Sequence, residues 1–131
     1  MCNGVIVSVP EQELARYDER EIPSKYKRIE LPVANVNLLN NKSSSGTFWT
    51  YVAIDPKDPD AEHPIPQSYI DVVLTGFLDF GTDFAKEFVD STEGWKYIVN
   101  DRDNPLYSRA LKNVERRAEI DTLLSKASLV S

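Results

Sequence analysis

Tyr17-Asp18-Glu19-Arg20-Glu21-Ile22-Pro23-Ser24-Lys25-Tyr26-Lys27-Arg28 carries an acidic helix end straight into an extended alternation. Helical phase running from Leu14 through Tyr17 to Glu21 puts the last carboxylate on the apolar stripe instead of the wet face. A carboxylate held against apolar surface, at the negative end of a helix, is suited to take up and return a proton near neutral pH. Pro23 biases Ile22 out of helical geometry, so the helix is expected to end around Arg20 to Glu21. From Tyr26 the pattern is extended, with Ile29, Leu31 and Val33 on one face. Past Pro32 and Ala34 the apolar phase shifts to Val36 and Leu38, which predicts a bulge or bend near Pro32.

Upstream, Gly4-Val5-Ile6-Val7-Ser8-Val9 is short and β-branched and reads as a strand. Pro10 suits the first position of the helix that follows, with Glu11 and Glu13 near its positive end. Downstream, Asn40 to Gly46 is a loop by composition. Thr47 to Ile54 is a strand with two apolar faces, expected to be central or packed within a small barrel. The prolines between Asp55 and Pro66 mark a surface loop. Ile70, Val73, Leu74 and Phe77 then fall at helical spacing up to Gly81. A further helix, capped by Thr82 or Asp83, carries Phe84, Ala85, Phe88 and Val89. Trp49 and Trp95 read as core packing. The stretch from Ala110 to Ala127 has helical composition without a clean stripe.

A chain of 131 residues, 41% hydrophobic and 27% charged, suits one globular domain. The formal net charge of −6 and pI near 4.8 argue against nucleic acid as a partner, because no stretch gathers enough Lys and Arg to neutralise a phosphate backbone. Cys2 is the only cysteine and His63 the only histidine. An ordinary His/Cys zinc site and an intrachain disulfide are therefore excluded, and no metal is expected. No apolar run reaches membrane-spanning length and no basic or hydrophobic leader is present, so the expected setting is cytoplasmic, without a membrane partner, or an organelle if a leader has been removed.

The order and spacing of several pieces resemble the gamma-glutamylcyclotransferase-like superfamily. They are Gly4-Val5-Ile6-Val7, Asp18-x-x-Glu21 followed by Tyr26-x-Arg28, Trp49-Thr50-Tyr51-Val52, and Pro66-x-x-Tyr69 leading to Gly76. The end, Thr92-x-x-Trp95 with Asn100-Asp101-Arg102-x-x-Pro105-x-Tyr107-x-Arg109, looks like the branch found in plants, algae and photosynthetic bacteria. The resemblance implies an α+β fold, a small mixed β-barrel flanked by helices, as a single domain over residues 1–131 with a C-terminal helical extension over 112–131. It implies Glu21 as the catalytic residue, Tyr26 and Tyr69 as substrate-binding residues, and no cofactor.

The implied reaction is release of 5-oxoproline from a gamma-glutamyl peptide or amine, with the substrate's own α-amine attacking its side-chain amide. The family's Tyr-Gly-Ser turn, whose backbone N–H groups hold the substrate, does not occur in this sequence, and the expectation is a chain missing the family's first strand. An open sheet edge would follow, paired with a second copy as a homodimer or covered by the segment after Ala110. The alternative is a non-catalytic small-ligand binding or interaction domain of the same fold. Asp18 is expected to cap or form an ion pair, and Asp101, Arg102 and Arg109 to form an ion-pair cluster fastening the C-terminal segment.

Overall fold

The acidic junction folds as its sequence dictates. In the computed structural model, which describes residues 1–39 and 46–128, Pro10 opens a single 3₁₀ turn, Glu11–Glu13, that runs into helix α1 (Leu14–Glu21). Pro23 sits in a second 3₁₀ turn, Ile22–Ser24, and Lys25 then adopts a left-handed conformation with φ of 68°. That one reversal swings the chain into strand β1 (Tyr26–Leu31). β1 stops at Leu31, immediately before Pro32, and the chain bends through a 3₁₀ turn, Val33–Asn35. The expected bend near Pro32 is thus a strand end. Strand β2 (Phe48–Ala53) lies antiparallel to β1, with Tyr26 opposite Ala53, Arg28 opposite Tyr51 and Leu31 opposite Phe48. The expected loop from Asn40 to Gly46 lies, apart from Gly46, outside the described residues.

Contacts gather the chain into two compact units, Ile6–Lys57 and Met1–Val5 with Asp58–Ser131. The first consists of α1 and the β1–β2 ladder. The second is mainly helical. Short strands β3 (Ile65–Pro66) and β4 (Ile98–Val99) pair in parallel, Ile65 opposite Ile98. β3 leads directly into helix α2 (Gln67–Leu78), followed by α3 (Thr82–Asp90) and α4 (Arg117–Ser128). Ile70, Leu74 and Leu78 from α2, Ala85 and Val89 from α3, and Ile120, Leu123 and Leu124 from α4 form one core with Trp95. Each buried Leu, Ile or Val side chain among them contributes about 1.5–3 kcal/mol by leaving water. Leu123 and Leu124 therefore meet their apolar need against helices, since α4 packs on α2 and α3.

Several expectations are corrected. Gly4–Val9 forms no strand: it has no regular structure, and Val5, Ile6 and Val7 are exposed. β-branched composition favours extension, but a strand also needs a ladder partner, and among the described residues none pairs with it. Helix α3 is not capped by a side chain. Gly81 occupies the N-cap position at φ of 114°, a conformation that no Thr or Asp there would adopt without strain. Gly94, at φ of 98°, is held open for another reason as well, since a Cβ there would meet Pro59 Cγ at 2.8 Å. Trp49 is not core but 41% exposed, whereas Trp95 is buried.

The β1–β2 and β3–β4 pairs make two separate two-stranded sheets. Among the described residues the fold is a small mixed α+β arrangement of four α-helices and short strands, with no closed barrel. Among these residues β2 pairs only with β1 instead of lying at the centre of a sheet.

Candidate functional site

Residues i and i+3 of a helix share a side, so Asp18 and Glu21 both project from one flank of α1. On the ladder, the register and the two-residue alternation put Tyr26, Arg28, Trp49 and Tyr51 together on one face. The flank and the face are joined through Asp18. Its carboxylate accepts from Arg28 Nε at 2.9 Å and Arg28 Nη2 at 3.1 Å, and from the Tyr51 hydroxyl at 2.6 Å. Arg28 also lies over the Trp49 ring, 4.4 Å from its centroid. The hydrogen bond from Tyr51, then that from Arg28, holds the Asp18 carboxyl below its ordinary value despite some desolvation. Burial pushes the Tyr51 phenol up to about 12, reinforced by the Asp18 carboxylate it bonds; the negative charge of Glu21 adds in the same direction.

The two carboxylates of Asp18-x-x-Glu21 are thereby given different chemistry. Three donors occupy Asp18 and favour its anion, so it is a poor proton carrier. Glu21 is half-buried, and among the described residues its hydrogen-bond partner is the exposed Arg20, whose Nε lies 3.1 Å from Glu21 Oε1. An exposed arginine competes weakly with solvent and with any bound ligand.

Tyr26 opens β1 and is 39% exposed, in the same compact unit as Glu21. Tyr69 belongs to the other unit, on the first turn of α2, where it is 45% exposed and stands edge-on to Tyr107 with ring centroids 5.1 Å apart. Sequence alone gives Arg28 and Tyr51 no role in the site. The legible signal was the Tyr26-x-Arg28 spacing, which puts both on one strand face; the Tyr51 link to Asp18 spans 33 positions and depends on strand register.

In the helical unit a second polar network has a structural character. Asp101 accepts from the Ser68 backbone N–H at 2.7 Å, the Ser68 hydroxyl at 2.6 Å and the Leu106 N–H at 2.8 Å. Burial pushes its carboxyl up, but these bonds outweigh burial and hold it below its ordinary value. It thus caps the first turn of α2. Arg102 donates to the fully buried Asp71 from Nε at 2.8 Å and Nη2 at 2.7 Å and reaches Asp121 of α4 at 2.9 Å. The expected fastening of the C-terminal segment is there, but its members are Asp71, Arg102 and Asp121, with Asp101 serving as a cap instead.

A cleft of about 440 Å³ is lined by Met1, Cys2 and residues of α3 including Asp83, Lys86 and Glu87. It includes neither Glu21 nor either tyrosine. Among the described residues no group of three or more Cys, His, Asp or Glu is arranged to hold a metal ion, and no helix is long and apolar enough to cross a membrane. No protein-family model, no curated protein and no solved structure matches this chain.

Proposed function

We propose that this chain is a cofactor-independent gamma-glutamylcyclotransferase in which Glu21 carries the proton. The observation that supports the reading is the division of labour within Asp18-x-x-Glu21. Asp18 is locked into an ion pair by Arg28 and Tyr51, while Glu21, one turn on along the same flank, has among the described residues only an exposed partner. A gamma-glutamyl group arrives with an α-ammonium, which is no nucleophile until a base removes a proton. Glu21 takes that proton, and the freed amine attacks the γ-amide carbonyl carbon. The new C–N bond closes a five-membered ring as the old amide C–N bond breaks. Both protons lost by the attacking nitrogen end on the departing amine, with Glu21 as the relay. Water is not consumed, and because the attack is intramolecular the site's main task is to fold the substrate onto itself.

In the same reading, the β1–β2 ladder belongs to the wall of the family's small barrel, since among the described residues each strand of the pair keeps one unpaired edge, and Tyr26 contacts substrate. A second reading, a non-catalytic module binding a small ligand on the ladder face, is favoured by the exposure of Tyr26 and Trp49. Incubation with gamma-glutamyl dipeptides and amines, followed by chromatography for 5-oxoproline, separates the two. Release by the native chain, and its loss in Glu21→Gln with folding intact, is the expected result. Binding without release supports the second reading, and undiminished release by Glu21→Gln assigns the base elsewhere.

A further inference from the structure

We propose that Arg28 is the anchor for the α-carboxylate of an α-amino-acid head group, presented beside Glu21 so that the α-ammonium and the α-carboxylate are read together. The placement beside Glu21 rests on the cyclotransferase reading; the carboxylate site does not. A guanidinium carries five N–H donors in a rigid plane. The side formed by Nε and Nη2 is spent on Asp18, at 2.9 and 3.1 Å. The end formed by Nη1 and the second hydrogen of Nη2 is not, and Nη1 has no hydrogen-bond acceptor among the described residues. That end has the fork geometry that matches a carboxylate in two parallel bonds.

The guanidinium is also held still. Asp18 fixes it in its plane, Trp49 covers one face at 4.4 Å from the ring centroid, and Tyr51, directly opposite Arg28 on the ladder, steadies Asp18 through its own hydrogen bond. An arginine clamped in this way loses little side-chain freedom on binding, which removes part of the usual entropic cost. A quarter of the side chain remains exposed, and Trp49 stands partly open beside it.

Charge determines which ligand suits this arrangement. Asp18 offsets the charge of Arg28, so a simple carboxylate gains little from long-range attraction. A zwitterion is better matched, its carboxylate meeting the Arg28 fork and its ammonium meeting Glu21. The site therefore selects a free α-amino-acid head group and rejects one whose α-carboxylate is blocked.

The test uses the whole chain, ¹⁵N-labelled, with NMR signals of the Trp49 indole and the Arg28 Nε–H followed during titration with gamma-glutamyl methylamide and with its α-carboxamide analogue. The carboxylate ligand is expected to shift both signals, and the carboxamide to bind at least about tenfold more weakly, as loss of a charge-assisted bond implies. Arg28→Lys should weaken the carboxylate ligand by a similar factor while circular dichroism stays native. If that variant does not fold, the comparison of the two ligands on the native chain decides alone. Equal responses to both ligands, or no response to either, overturn the assignment. Carboxylate-dependent binding without 5-oxoproline release keeps Arg28 and sinks the cyclotransferase reading. Equal release of the cyclised product from both ligands, 5-oxoproline from the carboxylate and 5-oxoprolinamide from the carboxamide, does the reverse.

Discussion

Asp18, Arg28 and Tyr51 show how one hydrogen bond can set two titrations in opposite directions. The Tyr51 proton stabilises the Asp18 anion, and the Asp18 anion makes that proton harder to remove. The consequence for stability follows from the sign of the phenol's shift. A tyrosine of the unfolded chain loses its proton near about 10, whereas folded Tyr51 keeps it to about 12. Below the unfolded value the contribution is fully present; between the two values the unfolded state holds fewer protons, so stability falls as pH rises. Ultraviolet phenolate titration should show a late component at about pH 12, the value to which Tyr51 is pushed. Tyr51→Phe should remove that late component and flatten the alkaline loss of stability in urea unfolding. A late component that survives the substitution would place it on another tyrosine.

At the scale of elements, the α1-to-β1 connection depends on a single left-handed residue. Lys25, at φ of 68°, accepts the conformation although it has a Cβ, and its N–H bonds the Ile22 carbonyl at 3.0 Å while its carbonyl receives the Ile54 N–H at 3.0 Å. These bonds tie the turn to the far end of β2 and hold the helix end carrying Glu21 against the ladder. A non-glycine residue in this region carries roughly 1 kcal/mol of strain. Lys25→Gly should relieve it, offset in part by greater freedom of the unfolded chain. A net gain of a few tenths to about 1 kcal/mol in chemical denaturation is expected. A loss of more than about 1 kcal/mol would show that the lysine side chain stabilises the turn by contacts of its own.

Across the whole molecule, the two compact units rely on different physics. The ladder unit has a polar cluster on one face, whereas the helical unit has an apolar core into which Asp71 is sunk, with a side chain 1% exposed beside Arg102 at 9%. Removing one member of such a buried pair leaves the other charge without compensation. Arg102→Gln is therefore expected to cost about 3–5 kcal/mol. Asp121→Asn touches the same arginine from the half-exposed side and should cost under about 1 kcal/mol. Thermal and urea unfolding of the two variants checks the contrast. Similar effects from both would mean that the surface contact, and not the buried one, holds α4 in place.

Local sequence determined most of the elements and their ends. Pro10 and Pro23 bracketed α1, Pro32 stopped β1, and apolar spacing marked α2 and α3, because helix phase, fixed proline φ and side-chain alternation act over a few residues. Asp18-x-x-Glu21 and Tyr26-x-Arg28 were legible as pairs for the same reason. Pairing across the chain was not legible. Gly4–Val9 had the composition of a strand and formed none, with no ladder partner among the described residues. Trp49 had the composition of core and became the exposed cover of Arg28, because strand register places it there. Tertiary structure alone decided that Asp18 is locked and Glu21 is not: the donors that make the difference, Arg28 and Tyr51, reach Asp18 from 10 and 33 positions away. A carboxylate's chemistry is set by the charges and donors packed around it, and only the folded ladder brings these together.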